Sequence, residues 1–455
     1  MKRPILLVCN QTVSPYMAGP VAIRYWEFAR VLSQYFTVTL AIPPLAQNSS
    51  STPPPATPEF EVRFCRTATE LRNLTQSAEV LVVVGEVLSL YPFLAQSDKP
   101  LVVDLYIPFL LEGLQKHATK PLAEQLCLQQ GYRRVHALQL RAADLLLCPS
   151  YKLQDFWLGY LAALGRVNPY THAADPAMTQ LITVVPFGLP ATPPRHDRAV
   201  MKGVYKTIGA EDKVILWGGG LWNWLDWQTM LQAMAIIAPI RPDIKLFFMG
   251  TKNPSVAGAP EMAVTEAIAL SQQLGLYDKH VFFNDWVAYA DRHNYLLEAD
   301  IGITLHRQHL ESRFSFRTRL LDYLWTGLPI IATAGDVMSA EVERGNLGRV
   351  VASGDSQAVS QAMLELLAMP NLRQDYQPQF ARMRRQYEWE TVMQPLIQFC
   401  HAPYRAADKP YLADLIGLEN GQQSLIKKGW QTLKRAGPRG LLSEISRYLY
   451  WKRHS

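Results

Sequence analysis

Residues 311–329 read ESRFSFRTRLLDYLWTGLP. This run lies between an apolar, strand-like segment ending at His306 and a second one from Pro329 to Thr333. Leu320, Leu321 and Leu324 recur at helical spacing as a buried side. Ser315, Thr318 and Asp322 fall at steps of three and four, which predicts one shared polar face. Arg313, Arg317 and Arg319 cluster near the start. A helix start carries free N–H groups and partial positive charge, and added guanidinium groups turn it into a receptor for two linked phosphates. Asp322, a turn further on, is placed to accept hydrogen bonds from ribose hydroxyls. An amphipathic helix with a solvated basic start is the plainer reading of the same residues.

The strand–helix–strand rhythm of this run extends along the chain in both directions. In the first half, strands are expected at Ile5–Cys9, Thr37–Ile42, Val80–Val84, Leu101–Leu105, Leu145–Cys148 and Ile182–Val185. Val21, Tyr25, Phe28, Leu32 and Tyr35 form one buried helical stripe between the first two. Residues 45–60, with a serine run and three prolines, read as loop. A Pro-rich stretch, Pro190–Pro194, follows Pro186-Phe-Gly188 and marks a domain boundary. The second half then restarts: Val214–Trp217, Lys245–Met249, Val281–Phe283, Ile301–Leu305, Pro329–Thr333 and Val350–Ala352. The pattern predicts an α/β protein of two Rossmann-like domains facing each other across a cleft, with ligand at the carboxyl ends of the strands. The divisions are residues 1–190, 191–385, a returning segment 386–420 and a helical basic tail 421–455.

Two further segments place chemistry at strand ends. Trp217-Gly-Gly-Gly220 ends a strand in three glycines, so backbone can approach a ligand without side-chain interference. Trp222, Asn223 and Asp226 follow. A dehydrogenase fingerprint fails here, because position 223 is Asn and not Gly. Phe283-Asn-Asp-Trp-Val287 leaves another strand, and Trp286 is as readily a buried core residue as a ligand contact. His306 ends a strand where it is able to donate to a hydroxyl or phosphate, or simply to pack. Ser150 and Lys152 are assigned capping and turn roles.

The 311–329 run resembles family 4 of the retaining glycosyltransferases, whose second domain carries a Glu-x7-Glu motif, a helix and a Gly-x-Pro strand entry. Counting back from Gly327, Asp322 takes the place of the second glutamate, which in that family holds the ribose. The first would fall on Phe314, and Glu311 stands three residues earlier. Val-Pro-Phe-Gly188 matches the common family hinge. The resemblance implies a GT-B fold. It implies that backbone amides at Gly219 and Gly220 meet donor phosphates, with Arg317 or Arg319 replacing the family's usual loop cations. It also implies that Trp286 and Val287 lie against the base, that Met17-Ala-Gly19-Pro20 approaches acceptor and donor, and that Asp104 holds the position where many members place a histidine beside the transferring sugar.

Composition narrows the classes. Hydrophobic residues make up 49% and charged residues 18%, which suits a buried globular chain and argues against disorder. Five scattered cysteines (9, 65, 127, 148, 400) suggest neither a disulfide framework nor a zinc site, and a reducing cytoplasmic setting is expected. No run of about 18 apolar residues suggests a membrane-spanning helix. Residues 421–455 hold eight Lys and Arg against Glu444 alone, or +7 of the chain's +6, leaving a body of −1. That distribution argues against nucleic-acid binding by the body. Leu441, Leu442, Ile445, Tyr448 and Trp451 interleave with the tail's cations. They suggest an amphipathic helix on the inner, anionic face of the cell membrane, or else a solvated or partner-binding tail.

The expected activity is therefore transfer of a sugar from a nucleotide-sugar donor to a glycan or lipid-linked acceptor in polysaccharide or glycoconjugate synthesis. Retention of configuration and independence of metal and cofactor follow from the resemblance. The candidate catalytic residues are Arg317, Glu311, Asp104 and His306. Rival readings are a catalytically silent GT-B protein that binds nucleotide or glycan within an assembly complex, and a sugar-nucleotide epimerase. The second would need paired carboxylates and a histidine in the cleft.

Overall fold

A computed structural model describes residues 2–11, 13, 19–43, 57–252 and 262–412. The first sheet contains β1 (Pro4–Val8), β2 (Thr37–Ile42), β3 (Glu61–Phe64), β4 (Val80–Val84), β5 (Leu101–Asp104), β6 (Leu145–Cys148) and β7 (Ile182–Val184), in the order β3-β2-β1-β4-β5-β6-β7. The second contains β8 (Lys213–Gly220), β9 (Ile244–Gly250), β10 (Val281–Phe283), β11 (Ile301–Thr304), β12 (Ile330–Thr333) and β13 (Gly348–Val351), in the order β10-β9-β8-β11-β12-β13. Every pairing within them is parallel. Parallel strands need helices on both faces, so central strands are apolar throughout, as in the fully buried Val80–Val84.

Strand order reverses between β1 and β4 and again between β8 and β11. Connections diverge to opposite faces at such points and leave a crevice at the carboxyl ends. The crevice of the second sheet is bounded by Gly218–Gly220, which end β8, and by His306, which lies just beyond β11.

The chain leaves the first sheet at Val184 and enters the second at Lys213. By Thr192 it already belongs to the second body: its carbonyl accepts from Trp325 Nε1 at 2.8 Å. After the helix Leu372–Gln386 the chain comes back. Leu189 N–H donates to Tyr387 and Trp389 N–H to Leu189, while the Trp389 ring packs on Phe28 and Phe187. Asp408 then accepts from Arg166 at 2.6 and 3.1 Å, with both side chains fully buried.

Four expectations differ in detail. Glu61–Phe64 is a strand, β3, at the edge of the first sheet, where half of its side chains stay wet and the apolar signal is weak. Tyr35 is 41% exposed, because its helix ends at Ser33, so the buried stripe stops at Leu32. β8 runs through the glycines to Gly220. Ser315, Thr318 and Asp322 do not share one helix face. A short helix, Leu310–Phe314, breaks at Ser315, whose extended backbone turns its carbonyl to Val337 N–H at 3.1 Å. A second helix, Arg319–Thr326, begins at the Thr318 cap and ends at Gly327 in the left-handed region, φ +63°. Met17, Ala18 and the 421–455 tail lie outside the described residues.

Candidate active site

The glycine end of β8 rests on one buried hydroxyl. Tyr323 Oη accepts from Gly218 N–H at 2.8 Å and reaches the carbonyls of Leu216 and Ile303 at 3.0 and 2.9 Å. A Cβ on Gly218 would stand 3.0 Å from that oxygen, and Gly219 has φ +73°. Both features favour glycine, and the backbone at the crevice stays bare.

Arg319, one turn before Tyr323, closes this end of the strand from the helix side. Its Nη2 donates to Gly220 O at 3.0 Å, and its Cζ lies 5.4 Å from the Trp217 ring centre. No carboxylate pairs with it among the described residues, and Nη1 is buried without a partner. Burial pushes its pKa down to about 10, and the charge of Arg317 acts in the same direction. An arginine held this way is a cation short of an anion.

Arg317 is differently placed. It donates to Glu311 at 2.9 Å and stands 3.8 Å from Asp336, with a side chain only 10% exposed. Ser315 Oγ also donates to Glu311. His309 caps the Leu310–Phe314 helix by accepting from Ser312 N–H, and lies 3.5 Å from Glu311. His306 is 1% exposed, and its Nδ1 lies 3.7 Å from Asp336. Burial above all, then Arg317 and His309, hold its pKa down at about 3, so the ring is neutral. Asp336 was not singled out from sequence. Its signal, Asp-x-x-Ser at a helix start, announces only the capping box it forms with Ser339. Lys152, from the first domain, donates to the Asp336 carbonyl at 3.3 Å, and Ser150 caps its own helix.

Asp322 carries an ion pair that spacing did not reveal: Arg292 Nε donates to its Oδ1 at 2.8 Å. The first domain faces this row of residues. Tyr106 lies beside Thr318, and Glu27 contributes to the field around Arg292. Asp104 ends β5 as expected, yet its carboxylate is enclosed. Arg24 Nε and Nη2 fork it at 2.8 and 3.2 Å, while the same guanidinium donates to Val185 and Pro186 carbonyls at the hinge. Both side chains are fully buried, so the pair ties the first helix to the hinge. Gly19 is the cap of that helix, and a Cβ there would strike Gln11.

The remaining candidates surround the glycine end of β8. The Trp222 ring lies over Gly220 and stacks on Trp224 at 5.6 Å. Asn223 Oδ1 accepts from Ala263 N–H, which commits it to the start of the helix Met262–Gln273. Trp286 packs on Gly250, with Nε1 buried and without a partner among the described residues, and Val287 is buried beside it. The structure thus brings Arg319, Gly219, Gly220, Trp222 and Trp286 to one end of the second sheet. Asp104 and Asn223 are occupied elsewhere. Among the described residues no group of three His, Cys, Asp or Glu is arranged to hold a metal ion, and no helix is long and apolar enough to cross a membrane.

Residues 212–369 match the family described as glycosyl transferases group 1. Over 84 residues the chain is 30% identical to the phosphatidyl-myo-inositol mannosyltransferase of Mycobacterium leprae, a match covering 18% of this chain and 22% of that protein. The chain therefore spans about a fifth of the length of this curated relative. The sucrose-phosphate synthase structure from Thermosynechococcus elongatus is similar with a TM-score of 0.62 at 15% identity, covering 88% of this chain and 98% of that one. The Anabaena protein HepE in complex with UDP-glucose is similar with a TM-score of 0.59 at 16% identity, covering 88% and 99%. With two parallel sheets in this order, the architecture is GT-B: two Rossmann-like domains in series.

Proposed function

We propose, on the premise that residues 212–369 carry a glycosyl transferases group 1 domain, that the protein is a glycosyltransferase using a nucleotide-sugar donor. One observation carries the reading: among the described residues Arg319 is anchored to the Gly220 carbonyl, has no carboxylate partner and keeps a buried N–H donor unmet at the bare glycine end of the strand. Departure of a nucleoside diphosphate concentrates negative charge on its phosphates. A fixed, desolvated cation beside free backbone stabilises that charge without reorganising. Arg319 is the group that meets the leaving diphosphate. Arg317, already neutralised by Glu311 and Asp336, frames the donor sugar's pocket together with neutral His306. The UDP-glucose bound by the Anabaena relative supports a nucleotide-sugar donor.

The finer reading has configuration retained by same-face attack, no metal or cofactor, and a glycan or lipid-linked acceptor in polysaccharide or glycoconjugate synthesis. The site sits in the cytoplasm, with the basic 421–455 tail drawing the enzyme to an anionic inner membrane face. A thermal-shift screen against UDP-, GDP-, ADP- and dTDP-sugars tests the donor, because a ligand bound to the folded state raises the melting point. Acceptor-dependent release of nucleoside diphosphate tests turnover. Absence of both would sink the assignment. Vesicles with and without anionic lipid, mixed with the full chain or a chain ending at residue 420, test the tail; equal partitioning would end that part.

A further inference from the structure

Glu112 stands in the first turn of the helix Phe109–Lys116, which follows β5 at the carboxyl end of the first sheet. That helix packs against the Leu310–Phe314 helix of the second domain. Nearby, the rings of Phe156 and Phe314 join the lobes with centres 5.3 Å apart. On either side of Glu112 the chain is held: Leu111 is buried, and a Cβ on Gly113 would strike Tyr132. The charges that act on the Glu112 carboxylate across the gap are those of Glu311 and Arg317, while Lys116 acts from its own helix and Tyr132 lies on the helix Leu122–Ala142. Among the described residues no donor hydrogen-bonds the Glu112 side chain and no cation pairs with it. Burial above all raises its pKa; Lys116 and Arg317 oppose the rise, and Glu311 adds to it.

A half-buried carboxylate that faces a second carboxylate and receives no hydrogen bond is disfavoured where it stands. Glu311 is already committed to Arg317 and Ser315, so Glu112 is the carboxylate left with its oxygens free. It also comes from the opposite lobe to Arg319, and a group reaching in from that side meets whatever enters the gap to attack the donor. A carboxylate that holds its proton more tightly than usual is a stronger base toward a hydroxyl. We propose that Glu112 is a catalytic residue: its carboxylate takes the proton of the acceptor's attacking hydroxyl. This rests on the transferase reading above. The acceptor oxygen forms its bond to the anomeric carbon, and the bond from that carbon to the diphosphate oxygen breaks. The electron pair of the broken bond leaves on the nucleoside diphosphate, and the acceptor's proton ends on Glu112.

The test separates nucleophiles that must lose a proton from one that has none to lose. Release of nucleoside diphosphate from UDP-, GDP-, ADP- and dTDP-glucose is followed in the full chain and in its Glu112→Gln and Glu112→Ala variants. The nucleophile is water, glycerol or octyl glucoside in one arm and azide in the other. With the hydroxyl probes, Glu112→Gln should be slower by roughly a hundredfold, the lower end of what a positioned base contributes. With azide, whose attack needs no base, both variants should stay within about threefold of the wild type or exceed it. Donor affinity by calorimetry should change by no more than about twofold, because Glu112 acts on the attacking group and not on the donor. Glutamine has the same shape without a charge to desolvate, so that variant should melt no lower than the wild type. Unchanged turnover of the hydroxyl probes in folded Glu112→Gln overturns the proposal. An equal loss with azide overturns it too, since a merely structural role slows every nucleophile alike. Should Glu112→Gln fail to fold, Glu112→Ala is read by the same criteria. A wild type that consumes none of the four donors with any nucleophile overturns the transferase reading and this inference with it, whereas turnover indifferent to Glu112 overturns this inference alone.

Discussion

Replacing Arg319 with methionine should separate stability from activity, moving the two in opposite directions. The charged form of Arg319 is disfavoured in the folded protein: burial, with help from Arg317, takes its pKa from 12.5 to about 10. Such a shift is worth about 3 kcal/mol as an upper bound, and residual solvent contact cuts it to roughly 1–2 kcal/mol. Methionine fills the same volume against Trp217 without a charge to desolvate, at the cost of one hydrogen bond to Gly220 O, about 1 kcal/mol. The melting temperature should stay level or rise by about 2–4 °C. Transfer should suffer. One or two charge-assisted hydrogen bonds to the leaving diphosphate are worth about 1.5–3 kcal/mol each. Because the charge they meet grows toward the transition state, the loss should appear in kcat as well as kcat/KM, by about two orders of magnitude. The assay is nucleoside diphosphate release under saturating donor, alongside thermal denaturation. A methionine variant that melts far earlier yet turns over normally would refute the reasoning. It would mean that Arg319 is a structural prop.

Other consequences follow from the same geometry. Glu311→Gln leaves Arg317 with only the distant Asp336 carboxylate, and breaking so sheltered a pair should cost about 3 kcal/mol in denaturant unfolding and lower kcat. Asp104→Asn strands the fully buried Arg24 and should cost about 3–5 kcal/mol, with the midpoint falling in thermal unfolding whether or not a donor is added. Gly219→Ala meets no atom within 4 Å but must adopt φ +73°. It should lose about 1 kcal/mol of stability and weaken nucleoside diphosphate binding measured by calorimetry. Acid sensitivity carries a definite sign. His306 binds its proton near pH 3 when folded against an ordinary 6.5, so the unfolded chain takes up the extra proton in between. Stability from this group is complete above about pH 6.5 and drains away as pH falls toward 3, by about 2–3 kcal/mol at pH 4.5. His306→Gln should flatten the melting-point profile between pH 7 and 4.5, and His136, held at about 4 by burial, leaves a remnant of the same slope.

Much of this molecule was legible in residue order alone. Apolar runs such as Val80–Val84 and Ile244–Gly250 are contiguous because parallel strands are covered on both faces. Their alternation with helical spacing yields twelve of the thirteen described strands, two sheets and the glycines that end β8. β3 escaped, since an edge strand with alternating Glu and Arg looks like loop. The arginine-rich run after His306 was legible as a candidate phosphate receptor, because a helix start already offers free N–H groups and partial positive charge to which guanidinium groups add. What each cation does was not. Arg317 and Arg319 are two positions apart and chemically identical. One turns to the carboxylates of Glu311 and Asp336, and the other to a bare carbonyl at Gly220. Nor could spacing reveal that Asp104 is spent on Arg24, or that Asp322 pairs with Arg292. Periodicity encodes which face of an element is buried, a local property of the chain. Which charge neutralises which is set by contacts between residues tens to hundreds of positions apart, and these exist only once the two sheets have closed around them.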